Sequence, residues 1–168
     1  ITITAGSTTG TASFTPTDDN VYEGNETGIV AISTVSGGSA TENGNQSVTI
    51  TINENESAPT VTLATSASSI AENAGSSLTL TATISQVADE DITVTIGTAG
   101  TSTEGTDYTD GSGNIDDITI SAGATTGTVN FTPTDDSVYE GNETAIVSID
   151  SVSGADATED GTQSVTIT

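Results

Sequence analysis

Lysine, arginine, histidine, cysteine, methionine and tryptophan are all missing from this sequence. With no Lys or Arg, the chain cannot displace counterions from a nucleic acid, and an anionic membrane surface repels it. Without His or Cys, zinc, haem and iron–sulfur sites lose their usual ligands, and a nucleophilic triad loses its base. A cysteine-free chain has no disulfide framework and fits the outside of a bacterial cell. Aromatic residues are only 3% of the chain, so a core has to be built from Val, Ile, Leu and Ala. No apolar run approaches the roughly 20 residues that span a bilayer, and no basic-then-apolar leader is present, so direct membrane insertion is not expected. The chain opens directly in a strand pattern, Ile1-Thr-Ile3-Thr, and reads as an internal piece of something longer.

What is present is acid and threonine. The 168 residues carry a formal charge of −24. Thr makes up roughly a fifth of the chain, and β-branched residues suit pleated, half-buried surfaces. Length alone allows one or two domains. A shift of 117 residues carries Ile1 onto Ile118 and aligns 1–51 with 118–168 without a gap, 38 of the 51 positions being identical. A fixed period of that length signals an array of autonomous domains. Residues 1–56 are therefore read as the C-terminal part of one repeat plus a linker, and 57–168 as a nearly complete repeat. The joint between them is Asn53-Glu54-Asn55-Glu56-Ser57-Ala58-Pro59. Residues 1–56 alone are too few to close a two-layer core.

Period-2 alternation predicts seven strands in the nearly complete repeat, around 60–70, 78–84, 92–96, 118–120, 129–131, 145–149 and 165–167. No stretch carries a helical period. Short antiparallel strands separated by Gly, Asn and Asp imply an all-β fold of tandem immunoglobulin-like, seven-stranded Greek-key β-sandwiches. In such a traverse the first, third and fifth connections return to one pole. Glu72 lies in the first, Asp107 in the third, and Asp135, Asp136 and Glu140 in the fifth.

That fifth connection, residues 134–144, is called the acidic loop below. It belongs to the most telling stretch of the sequence, Phe131-Thr-Pro-Thr-Asp135-Asp136-Ser-Val-Tyr139-Glu140-Gly-Asn-Glu143-Thr144, which recurs at 14–27 with one change. The earlier copy supplies Asp18, Asp19 and Glu23, expected beside the joint residues Glu54 and Glu56. Carboxylates gathered this way repel, at a cost of about 4 kcal/mol per pair ~4 Å apart at an effective dielectric near 20. They stay hydrated as capped turns or recruit a cation, and several flexible oxygen ligands suit calcium better than magnesium. Glu143 and Glu26 open the following strand and are read as its polar start, outside the site. Tyr139 and Tyr22 are expected to pack at the loop corner with hydroxyl bonded to backbone, and Gly141 and Gly24 to take positive φ. Ile146 and Ile29 fall on the outward phase of their strand, a hint of lateral packing between chains.

Ile70-Ala-Glu72-Asn, Gly105-Thr-Asp107-Tyr108, Ile118-Thr-Ile120-Ser-Ala-Gly and the acidic loop together resemble the Calx-β family, in family order over nearly all of 57–168. The family is known from regulatory domains of sodium–calcium exchangers and from repeats of bacterial surface proteins. The resemblance implies Ca2+ at the pole, held at Glu72, Asp107, Asp135, Asp136 and Glu140. In the partial repeat it implies Asp18, Asp19 and Glu23, with Glu54 in the acidic segment that follows the last strand.

The expected function is a calcium-stabilised spacer or stalk of an extracellular adhesin or surface filament, its ions at the joints. Its partners are neighbouring repeats of the same chain, or identical chains in a fibre. Extracellular modules bind calcium at about 10⁻⁴–10⁻³ M, a range matched to seawater or host fluid. The alternative is a glycan- or protein-recognition module of a cell-surface protein, for which two Phe and three Tyr offer few platforms. An enzyme is not expected, because adjacent Asp135 and Asp136 on one loop cannot flank a sugar ring from opposite sides.

Overall fold

The computed structural model describes residues 1–168, and every regular element is a strand. No helix is long and apolar enough to cross a membrane. The chain divides into two compact units, one formed by Ile1–Asp19 with Thr27–Ile52, the other by Asn20–Glu26 with Asn53–Thr168.

The first unit is built on a two-stranded sheet of β1 (Glu26–Ala31) and β2 (Ser47–Ile52). A two-stranded ribbon buries little, and Ile1, Ile3, Phe14, Ile29 and Val48 are all exposed.

The second unit carries β3 (Thr60–Thr65), β4 (Leu78–Ile84), β5 (Ile92–Gly100), β6 (Tyr108–Thr109), β7 (Ile118–Ile120), β8 (Thr126–Pro133), β9 (Ala145–Ser153), β10 (Thr158–Glu159) and β11 (Ser164–Ile167). They form two sheets, ordered β10-β3-β4-β8-β6 and β11-β9-β5-β7. Only β3 and β4 follow one another in the same sheet; from β4 onward each strand lies in the sheet opposite the one before it, the interleaving of a Greek-key sandwich. Along β4, Leu78, Leu80, Ala82 and Ile84 are buried, and the threonines between them are not. The facing layer supplies Ile92, Val94, Ile118, Ile120, Val147 and Ile149. These aliphatics alternate with a Thr or Ser on the outer face, which is the period-2 pattern of the sequence turned into an inside and an outside. Tyr108 and Phe131 stack inside the core with ring centroids 4.5 Å apart and planes 21° apart.

All seven predicted strands are present, with adjusted ends. β5 and β9 run longer than their apolar cores because they pair with each other from Thr93 opposite Ser153 to Gly100 opposite Ala145, with an irregularity between Thr95 and Ile96. The first predicted strand ends at Thr65 rather than near Ile70. Beyond it the backbone leaves β4 for the end of β11, where Thr168 accepts from the Ile70 amide and donates to the Ser68 carbonyl, both at 3.0 Å. The two-residue strands β6 and β10 are too short to leave a pattern in sequence.

Candidate metal centre

The connections through Glu72 and Asp107 and the acidic loop meet at one end of the second unit. The packing that brings them there begins with Tyr108. Its ring is 2% exposed, against Phe131, and β6 is held on β8 with Tyr108 opposite Pro133. Burial of this one ring fixes its neighbour Asp107 beside the start of the acidic loop, where the Thr134 amide donates to the Asp107 carbonyl at 2.9 Å. The Asp107 carboxylate closes its own turn, accepting the Thr103 amide at 2.6 Å.

The other end of the acidic loop is stitched to the end of β5. The Thr101 amide donates to the Thr144 carbonyl at 2.8 Å, and the Thr144 amide donates to Thr101 Oγ1 at 2.8 Å. Gly100 permits this approach. It sits at φ +122°, and a Cβ there would run into the Thr144 carbonyl. Glu143 is thereby carried to Asp107. One carboxylate oxygen from each of Asp107, Glu140 and Glu143 lies within 4.8 Å of the others. From the first connection, Glu72 Oε1 accepts the Asp136 amide at 3.0 Å, and Asp136 Oδ1 accepts the Val138 amide at 2.6 Å, shaping the loop. Asp135 is exposed at the loop's start.

The electrostatics follow from the absence of any cationic side chain. Partial loss of hydration raises the Glu140 pKa above the ordinary carboxylate value, and the charges of Asp107, Asp136, Glu143 and Glu72 raise it further. Glu143 is raised by the same loss of hydration and by the charge and hydrogen bond of Asp107. These carboxyls resist ionisation because nothing in the chain balances them. A divalent cation would balance them. The donor set is all oxygen, contributed by two separate connections and adjustable in geometry, which fits calcium. Asp107, Glu140 and Glu143 would hold the ion, with Glu72 and Asp136 beside them.

The sequence makes Glu143 a polar strand start outside the site, and the structure places it within the site. It is half-buried and faces Asp107. The signal that finds it is the recurrence of Glu three residues after Glu140 in both copies of the loop.

The partial repeat is arranged differently. Asp18 and Asp19 are exposed residues of the first unit, and Glu23 and Glu54 belong to the second. Glu54 is an anchor for backbone. Its Oε2 accepts the amides of Glu23 at 2.6 Å and Gly24 at 2.8 Å. Its Oε1 accepts those of Asn55 at 2.8 Å and Glu56 at 2.9 Å. These bonds, led by the Glu56 and Glu23 amides, lower its pKa to about 2. The Glu54 amide in turn donates to Asn25 Oδ1 at 2.8 Å. Asn20–Glu26 and the joint are thus laced together around one carboxylate.

Gly24 and Gly141 take the expected positive φ, 72° and 78°. The tyrosines do not pack at their loop corners. Tyr139 is 96% exposed, and Tyr22 donates its hydroxyl to a carboxylate, Asp156 Oδ2, at 2.8 Å. Tyr22 is packed instead against the core of the second unit, where a carboxylate is within reach of its hydroxyl.

A family model, that of the Calx-beta domain, matches the chain over residues 2–56 and again over 54–168. No curated protein matches it.

Proposed function

Because this chain belongs to the Calx-beta domain family of calcium-binding β-sandwiches, we propose that it is a calcium-stabilised structural repeat, a spacer or stalk of an extracellular adhesin or surface filament. The observation that carries this reading is the convergence of Asp107, Glu140 and Glu143 at one pole of a chain without a single cationic side chain. A pole of like charges pushes its own loops apart. An ion taken up there turns that repulsion into a tie between the acidic loop and the connection that carries Asp107. Successive sandwiches then behave as a stiff rod. With no disulfide available and no lysine for an isopeptide crosslink, metal is the staple the composition leaves open. The affinity range of extracellular calcium modules, about 10⁻⁴–10⁻³ M, means the tie is closed outside a cell and open in cytosol.

The test is thermal melting and small-angle scattering of the chain in calcium and in chelator. The proposal expects a lower melting temperature and a broader distribution of lengths in chelator. Superimposable melts and scattering curves would overturn it.

A further inference from the structure

The acidic loop occurs twice, and its two copies have opposite surroundings. In the first copy Val21 and Tyr22 are half-buried and are part of the second unit. The Tyr22 amide donates to the Val87 carbonyl at 2.8 Å, and the Asp89 amide donates to the Tyr22 carbonyl at 3.2 Å. Tyr22 thus pairs with Ala88 as one rung of a parallel bridge. Its hydroxyl reaches Asp156, as described. In the second copy the matching Val138 and Tyr139 are 61% and 96% exposed. The two fourteen-residue stretches differ at one position, Asn20 against Ser137. Identical chemistry is therefore seated in one place and bare in the other.

The receiving surface is a built feature. The turn Gly154-Ala155-Asp156 has φ of 98°, 50° and 50°, closed by the Ala157 amide donating to the Gly154 carbonyl at 2.9 Å. A Cβ at Gly154 would run into the Asp91 carbonyl, and Glu90 Oε2 accepts the Ala155 amide at 3.2 Å. The turn is pressed onto residues 89–91, and Tyr22 sits against both. The same turn recurs 117 residues earlier. Gly37, Gly38 and Ser39 have φ of 94°, 59° and 56°, and the Ala40 amide donates to the Gly37 carbonyl at 3.0 Å. Ser39 stands where Asp156 stands, with a hydroxyl that can also accept a phenol proton. Plug and receiving turn are both present in each copy.

We propose that Val138-Tyr139 is a docking plug for a further copy of this β-sandwich, received between that copy's residues 86–90 and its turn 154–157, as Tyr22 is received here. The proposal rests on the spacer reading for the presence of such a copy. A surface of this kind, with plug and receiver on different faces, joins copies head to tail and does not close on itself. Attraction of opposite charges cannot drive the contact between two copies that carry no cationic side chain. The buried ring, its hydroxyl bond and the backbone pairing have to supply it.

The experiment uses the 168-residue chain and the same chain extended after Thr168 by a second copy of Ile52–Thr168. The added copy carries Tyr139→Phe, so that only the internal Tyr139 reports. Nitration by tetranitromethane, followed by mass spectrometry, is run in calcium and in chelator. In the 168-residue chain Tyr139 should react fastest. In the extended chain its nitration should fall about tenfold, the protection of a site that opens only part of the time. Asp156→Ala in the added copy should restore most of the reactivity. Equal rates with and without the added copy would overturn the proposal, and so would protection indifferent to Asp156→Ala. Protection that persists in chelator, where melting shows no calcium effect, would support docking and sink only the calcium reading.

Discussion

The amide of Asp136 donates to Glu72 Oε1 at 3.0 Å across 64 residues of chain. This bond ties the connection between β3 and β4 to the acidic loop between β8 and β9, and it does so with a carboxylate in a neighbourhood already short of positive charge. Loop shape and charge density at this pole are therefore coupled. Whatever relieves the charge also steadies the loop.

Neutralising the pole should act in opposite directions with and without metal. Asp107→Asn, Glu140→Gln and Glu143→Gln each remove a ligand and should weaken calcium binding about tenfold or more, or at least 1.4 kcal/mol. In chelator the same three variants should melt no lower than the parent, because each removes a repulsion. Calorimetric titration paired with melting in chelator checks both signs.

In chelator, stability should pass through a maximum in mild acid. The Glu140 and Glu143 pKa values lie above their unfolded values, so ionising them costs more in the folded state, and stability falls as pH rises through that range. Lowering pH from about 7 to about 5 should therefore raise the melting temperature. Glu54 has the opposite sign. With its pKa lowered from 4.5 to about 2, it contributes above the higher value and is lost as pH falls between the two. Glu54→Gln should flatten the acid limb and leave the other intact, which a melting series across pH would reveal.

The aromatic pair that places Asp107 should matter to both fold and site. Phe131 is 4% exposed, and Phe131→Ala should cost about 3–5 kcal/mol in denaturant unfolding. It should also weaken calcium binding, since the ring beneath Asp107 loses its partner.

Gly100→Ala tests the stitch at the other end of the loop. The added methyl meets the Thr144 carbonyl, and φ of +122° is strained for any residue with a Cβ. A destabilisation of about 1–3 kcal/mol is expected, with calcium affinity lowered because Glu143 adjoins Thr144. Gly141→Ala, at φ 78° with open space around its Cβ, should cost about 1 kcal/mol and serves as the control for backbone strain alone.

The sandwich was legible because Thr alternates with aliphatics so regularly that inside and outside are written residue by residue, as in β4 and β7. The shared pole of Glu72, Asp107, Asp136 and Glu140 followed from counting connections. Glu143 escaped that count because a residue at a strand's start reads as solvent-facing until its neighbours in space are known, and here the neighbour is Asp107 on another connection. Glu54 carries the acid expected at the joint, but two of its four amide bonds, those from Glu23 and Gly24, depend on a loop returning from about 30 residues earlier. Tyr22 was illegible for the same reason at longer range, since its partner Asp156 is 134 residues away and no local pattern announces the pairing.

The most direct test is a calcium titration of the metal-free chain followed by isothermal calorimetry, repeated on the double variant Glu140→Gln/Glu143→Gln. The account predicts saturable binding with a dissociation constant of about 10⁻⁴–10⁻³ M, diminished in the double variant by the loss of the second unit's site. No saturable heat up to about 10 mM calcium, or identical isotherms for parent and double variant, would contradict it.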